Sequence, residues 1–265
     1  MRFKTTPLGV ISVYVGGLVA GAAYNDLNLL LAMIVTFFIT AGSMTFNDYF
    51  DWKIDKINHP ERPIPRGIIK PQEMLYFTIF LFIIGLTISY FINLLCFGIV
   101  ILSIIILFIY EKYSKNISIS GNITVAFVSA ISFTFGGASI GNPYSSFILS
   151  LIAFFIMISR EIIMDIRDSE GDSLFRKTLP MQIGKKPALH IATIFLLIAV
   201  ALSPVPYFLY ILNEWYLLAI IPVDIITLYA IFHSHSDLKN VGKTASLIRI
   251  ALAIGLVAFI AGSLL

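Results

Sequence analysis

The chain has 265 residues, of which 58% are hydrophobic and 12% charged, and its mean hydropathy is +0.92. A soluble domain of this length cannot bury so much apolar side chain, so the composition excludes that class and indicates a polytopic membrane protein. The single cysteine, Cys96, excludes an intrachain disulfide and argues against a thiolate metal site. The net charge of +3 excludes no class of protein, but the positions of the charges along the chain are informative.

Nine apolar segments are long enough, or nearly so, to cross about 30 Å of hydrocarbon as helices of roughly 20 residues. The runs are continuous rather than alternating, which favours helices over barrel strands. The predicted spans are residues 7–24, 29–50, 73–92, 94–110, 121–140, 146–165, 188–212, 215–232 and 245–264. We therefore expect an all-α fold in which residues 1–265 form one bundle and a single domain.

The first segment has an alternative interpretation as a cleaved signal peptide, because Arg2 and Lys4 precede it and small residues follow near Ala20. We expect it to be retained as a span. Adjacent glycines at residues 16–17 and 136–137 predict close contact between helices.

The basic residues lie on one side of the predicted bundle. If the amino terminus is cytoplasmic, all 18 Lys and Arg fall on the inner face, and the opposite loops carry none. This asymmetry is the positive-inside pattern, and it predicts a cell-membrane protein with a cytoplasmic amino terminus and an outer carboxyl terminus. Asp224, after Pro222 in the eighth segment, is an isolated intramembrane acid that we expect to face the bundle or its outer end.

The pattern D-x-x-D-x-x-x-D occurs twice, each time at the inner end of a predicted span. Its members are Asp48, Asp51 and Asp55 in the first copy and Asp165, Asp168 and Asp172 in the second. A proline and a glycine follow at the same distances, as Pro63 and Gly67 in one copy and as Pro180 and Gly184 in the other. The repetition predicts two similar halves, spans one to four and five to eight, around a central cavity, with span nine additional.

The clustered carboxylates need a counter-charge. Residues at i and i+4 share a helix face, so Asn47, Asp51 and Asp55 form one stripe, and like charges at this spacing repel. Magnesium takes oxygen ligands and commonly pairs carboxylates with substrate phosphates, and basic residues follow both clusters. The pattern therefore predicts a site for the diphosphate of a substrate whose long hydrocarbon tail lies among the apolar helices. The alternative is a set of charges that only face water and headgroups, and the repetition of the frame argues against it.

The two motifs resemble those of the UbiA family of intramembrane prenyltransferases. The first reads N-D-Y-F-D-W-K-I-D at residues 47–55, followed by N-H-P-E-R-P-I-P-R-G at 58–67. The second reads R-E-I-I-M-D-I-R-D-S-E-G-D at 160–172, followed by K-T-L-P at 177–180. The resemblance covers nearly the whole chain and implies nine helices with cytoplasmic cap loops over the site.

The resemblance also implies roles for individual residues. The implied magnesium ligands or their supports are Asn47, Asp48, Asp51, Asp55, Asp165, Asp168 and Asp172, and Asp51, Asp55, Asp168 and Asp172 are the implied catalytic acids. The implied diphosphate contacts are Arg62, Arg66, Tyr110, Lys112, Lys115 and Lys177. The family motif Y-x-x-x-K is one residue too long here between Tyr110 and Lys115, so either Lys112 or Lys115 is the candidate lysine.

Both motifs are most similar to an archaeal branch of the family. That branch transfers a geranylgeranyl group from geranylgeranyl diphosphate to the free hydroxyl of geranylgeranylglyceryl phosphate in the membrane. An aromatic acceptor, hydroxybenzoate or naphthoate, is the alternative within the family. Outside it, an ion-coupled transporter or a non-catalytic lipid-binding protein stays open. No sequence motif indicates a nucleic-acid partner.

Overall fold

The part of the chain that the structure describes is helical throughout. The computed structural model describes residues 6–169 and 178–264, which contain eleven α-helices and no strand. The helices are α1 Thr6–Val19, α2 Leu27–Asn58, α3 Pro71–Ile92, α4 Leu94–Lys112, α5 Ser118–Ser139, α6 Pro143–Asp168, α7 Leu179–Ile183, α8 Lys185–Leu202, α9 Val205–Phe208, α10 Glu214–Ser236 and α11 Val241–Leu264. Short 3-10 turns lie at Ser114–Asn116 and Leu238–Asn240. The all-α prediction is confirmed.

Polar residues between the apolar runs begin the helices. The Asp26 side chain accepts a hydrogen bond from the Leu29 amide at 3.0 Å, and Asn93 accepts one from the Cys96 amide at 2.8 Å. Asn213 caps α10 in the same way. Such caps satisfy amides that have no partner within the helix, and hydrocarbon offers no water to replace them.

Eight of the described helices are long and apolar enough to cross a membrane. Helix α1 has 14 residues, or about 21 Å at the usual rise, and ends before a turn in which Gly21 has a φ of +100°. A ninth span therefore stays a prediction. The predicted segment 188–212 is interrupted, because Pro204 and Pro206 lack the amide hydrogens that a continuous helix requires.

Helices α2 and α6 are longer than the hydrocarbon requires. Helix α2 has 32 residues and α6 has 26, which correspond to about 48 Å and about 39 Å. A membrane of about 30 Å accommodates roughly 20 of those residues, so each helix has turns to spare, and its charged residues lie in the carboxyl-terminal turns. These are the turns that carry the acidic motifs.

The core follows from close helix contacts and apolar packing. Helix α5 packs against both α1 and α6, and the backbone of Gly136 lies against the backbone of Val13 on α1. Aliphatic side chains of α6, α8 and α11, such as Ile162, Leu196 and Ile248, form one buried cluster. This packing fixes the helix rotations, and the rotations decide which polar side chains meet at the motif end of the bundle.

Candidate functional site

The first acidic cluster lies on the last turns of α2. Asn47, Asp48 and Asp51 are half-buried, and Asp55 is buried with 4% of its surface exposed. The helix continues through the motif to Asn58, past the predicted end of the apolar segment at residue 50. Continuous helix gives Asn47, Asp51 and Asp55 the shared face that their spacing predicts.

The turn after α2 folds back over this cluster. The Arg62 guanidinium donates to the Asp55 carboxylate and lies 3.6 Å from that of Asp48. Backbone bonds from His59 to Asp55 and from Arg62 to His59 hold the turn. A narrow crevice is lined by Asp48, Asp55, Arg62, Pro63, Ile64 and Pro65.

Lys115 reaches the same cluster from the turn after α4. Its ammonium donates to Asp51 at 2.6 Å and to Glu111 at 2.9 Å, and 6% of its side chain is exposed. The other candidate, Lys112, lies over the rings of Phe108 and Tyr113, at 5.7 Å and 5.1 Å from their centroids. The structure thus brings Lys115 to the first acidic motif and directs Lys112 to an aromatic surface.

Glu111 is a member of this site that the sequence analysis missed. Its side chain is 4% exposed, and its Oε1 accepts a hydrogen bond from Asn47 Nδ2 at 2.9 Å. The Asn47 Oδ1 atom is buried and has no hydrogen-bond partner. The available signal was an acid four positions before a candidate lysine, because opposite charges at this spacing often pair. Here the pair forms across the end of α4 at Lys112.

The second acidic cluster lies at the end of α6. The Asp165 carboxylate accepts from Asn122 Nδ2 on α5 at 2.8 Å, another contact that the sequence analysis missed. Arg167 donates to both oxygens of the Asp168 carboxylate, at 2.6 Å and 2.7 Å. Asp172 and Lys177 were also predicted as site residues, and both lie outside the described residues.

Two other predicted diphosphate contacts, Tyr110 and Arg66, lie at the periphery of the acidic cluster on α2. The ring of Tyr110 lies against the start of α5 at Gly121, and Arg66 is exposed beyond the turn that contains Arg62. Within residues 6–169 and 178–264, no three His, Cys, Asp or Glu side chains form a group that could hold a metal ion. Two of the predicted magnesium ligands are not among those side chains. Asn47 is none of these four residue types, and Asp172 lies outside the described residues.

The glycines that follow the two motifs both have a positive φ. Gly67 has a φ of +74° and Gly184 a φ of +93°, in the left-handed region that other residues rarely adopt. Each is preceded by a proline four residues earlier, Pro63 or Pro180. Gly21 and Gly141, outside the motifs, also have a positive φ, so this feature marks turns in the described chain and the repeat rests on the spacing of the residues.

The fold and the site define a polytopic membrane protein with a polar site at one end of its helical bundle. The model of the UbiA prenyltransferase family matches residues 9–262. The chain belongs to that family.

Individual relatives agree with this placement. A digeranylgeranylglyceryl phosphate synthase of Methanosarcina mazei is 35% identical, and the match covers 99% of this chain and 96% of that protein. A solved structure of digeranylgeranylglyceryl phosphate synthase in membranes is 34% identical, with a TM-score of 0.86 over 98% of this chain and 92% of that one. A UbiA homologue from Archaeoglobus fulgidus bound to GPP and Mg²⁺ has a TM-score of 0.70 over 95% of each chain and, at 21% identity, supports the fold alone.

Proposed function

We propose that this protein transfers a geranylgeranyl group from geranylgeranyl diphosphate to the free hydroxyl of geranylgeranylglyceryl phosphate. The full-length relative from M. mazei, named as a digeranylgeranylglyceryl phosphate synthase, supports the substrate pair. The observation that carries the proposal is the polar network at the end of α2. There, Asp51 pairs with the buried ammonium of Lys115, and Asp55 pairs with the partly buried guanidinium of Arg62.

The bond changes in this transfer are simple. The allylic C–O bond breaks, and its electron pair leaves with the diphosphate. The acceptor oxygen forms the new ether bond and releases its proton to a carboxylate or to the freed diphosphate. The barrier therefore depends on stabilising negative charge on the leaving group, which is what preorganised cations do.

The donor set fits a magnesium ion. Magnesium takes oxygen ligands, and the buried Oδ1 of Asn47 has no protein partner while Asp51 lies one turn further along the same face. We assign Asn47, Asp51 and Asp55 as ligands on one side and Asp168 and Asp172 on the other, with Asp48 and Asp165 as ligands or supports. Bound Mg²⁺ would neutralise the diphosphate as the allylic bond breaks.

The basic residues would orient the diphosphate. Lys115 is the lysine that we assign to this role, because its ammonium already lies at the motif and that of Lys112 does not. Arg62, Arg66, Tyr110 and Lys177 complete the proposed set. Below them the apolar walls of the bundle would keep water from the prenyl carbocation.

Two similar halves would build this site. The matched acidic motifs, each followed by a proline and a glycine at the same spacing, support a repeat of spans one to four in spans five to eight. Both motif ends would face the cytoplasm, as the one-sided distribution of Lys and Arg indicates.

The test is prenyl transfer by the purified protein in detergent. Labelled geranylgeranyl diphosphate and Mg²⁺ are supplied with geranylgeranylglyceryl phosphate and 4-hydroxybenzoate as competing acceptors. We expect the label in the glycerol lipid and no transfer with excess chelator. Asp51→Asn and Asp168→Asn should each lower the rate of transfer by at least about 100-fold. Glu214→Gln, at the exposed start of α10, is the control and should keep its activity.

Each other outcome rejects a defined part of the proposal. Label in the aromatic acid keeps prenyl transfer and rejects the acceptor. Folded protein that transfers to neither acceptor rejects the enzyme function and returns the transporter and lipid-binding alternatives.

A further inference from the structure

Glu111 is a buried carboxylate whose two oxygens serve two different residues of the candidate site. It lies on the last turn of α4, and its Oε1 and Oε2 each accept at 2.9 Å, from Asn47 and from Lys115 respectively. With 4% of the side chain exposed, water does not compensate the charge. Burying a carboxylate is costly unless it is paired and hydrogen-bonded, and here the pairing involves two residues near the predicted metal.

The bond to Asn47 determines which edge of the amide faces the rest of the site. An ionised carboxylate only accepts hydrogen bonds, so Glu111 selects the NH₂ group of Asn47. The amide oxygen is then directed away from Glu111, where it is buried and has no hydrogen-bond partner. By accepting a hydrogen bond from Asn47 Nδ2, Glu111 leaves Asn47 Oδ1 available as an oxygen ligand for a cation.

Glu111 is one of two carboxylates that accept from the Lys115 ammonium. Lys115 is shared between Asp51 and Glu111, and Asp51 is a proposed metal ligand. If a metal were to take the Asp51 oxygen that now accepts from Lys115, the ammonium would lose one of its two bonds. The bond to Glu111 would then hold the ammonium in place for the diphosphate.

We propose that Glu111 is a positioning residue, which orients Asn47 toward the metal and holds Lys115 for the diphosphate. The proposal rests on the function proposed above and adds to it a residue outside both acidic motifs. Glu111 itself would contact neither the metal nor the substrate. It acts through two neighbours, and each neighbour has its own measurable ligand.

The experiment measures binding without turnover. Mn²⁺ replaces Mg²⁺ so that electron paramagnetic resonance reports metal binding, and a non-cleavable thiolo analogue of geranylgeranyl diphosphate replaces the substrate. The main variant is Glu111→Gln, which keeps the side-chain volume but has one oxygen for two donors. Glu61→Gln is the matched control, because Glu61 lies at the same end of the bundle with 72% of its side chain exposed.

We expect Glu111→Gln to weaken Mn²⁺ binding at saturating analogue by at least fivefold, and analogue binding at saturating Mn²⁺ by a similar factor. When Asn47→Ala is already present, the added effect on Mn²⁺ should fall below about twofold. When Lys115→Met is already present, the added effect on the analogue should fall below about twofold. Glu61→Gln should match the wild type in both assays.

Three outcomes are distinguished. If wild type binds no Mn²⁺ with the analogue, the proposed function fails. If Asp51→Asn abolishes Mn²⁺ binding and Glu111→Gln leaves both affinities unchanged, the positioning role alone fails. If Glu111→Gln weakens binding equally in every background, its effect is additive, and a general structural role replaces the positioning role.

Discussion

The Lys115 ammonium lies 2.6 Å from the Asp51 carboxylate, although 64 residues separate the two in the chain. The contact joins the end of α2 to the turn after α4, and it selects one lysine from the two that the sequence offers. It also predicts a difference between two otherwise similar variants.

Lys115→Met should reduce kcat/KM for the prenyl diphosphate, and Lys112→Met should not. A hydrogen bond to a charged group contributes about 1.5–3 kcal/mol, so we expect a loss of about 10- to 150-fold for Lys115. Lys112 contacts Phe108 and Tyr113 instead, and its variant should stay within about twofold. Steady-state kinetics of both proteins measures the difference, and equal losses would contradict the assignment.

Arg62→Ala should destabilise the protein more than Arg66→Ala. The Arg62 side chain is 15% exposed and is the cation beside Asp55, so its removal leaves a buried carboxylate uncompensated. Breaking such a pair costs up to about 3–5 kcal/mol. Thermal unfolding in detergent should show a clear fall in Tm for Arg62→Ala and almost none for the exposed Arg66. A Tm unchanged in both would show that the pair contributes nothing to folding.

Gly136→Ala should lower the free energy of unfolding through the α1–α5 contact. A methyl carbon there would overlap the carbonyl oxygen of Val13, and backbone atoms cannot move aside as side chains do. Overpacking of this kind costs about 1–3 kcal/mol. Gly98→Ala is the control, since open space surrounds that position on α4, and it should be neutral or slightly stabilising. Melting curves of the two variants decide the matter.

Asp224→Asn should retain both activity and most of the stability. Asp224 accepts a hydrogen bond from Ser203 Oγ at 2.7 Å, where α8 ends, and an amide oxygen can accept the same bond. Asp224→Ala removes the acceptor and should cost about 0.5–1.5 kcal/mol with transfer still within about twofold. A large loss of transfer in Asp224→Asn would instead give this acid a role in the reaction.

The proposed orientation predicts opposite accessibilities for two introduced cysteines. The two variants are Lys56→Cys and Tyr144→Cys, each in a Cys96→Ser background. Lys56 is exposed at the motif end of α2, and Tyr144, at the start of α6, is 86% exposed. A membrane-impermeant maleimide should label position 144 in intact cells and position 56 only after permeabilisation. The reverse pattern would invert the topology.

The amino-acid sequence by itself determined the helices and the positions of the acids along them. Apolar runs of about 20 residues have no stable alternative to helix in hydrocarbon, so the all-α class and eight long apolar helices followed from local composition. The helix limits did not, since α2 continues past residue 50 to Asn58 and the segment 188–212 is interrupted after Leu202. Asp26 and Asn93 start helices because a side-chain oxygen satisfies the first free amides. The spacing of Asp48, Asp51 and Asp55 likewise needs only the helical period.

Only the tertiary structure decided which partners those acids have. The helical period of the sequence does not show that α4 ends at Lys112. Because the helix ends there, the chain turns and brings Lys115 to Asp51. Nor does the period show that Asn122 on α5 reaches Asp165 on α6. These contacts depend on how neighbouring helices are rotated, and the rotation results from packing against distant segments, which no local pattern encodes.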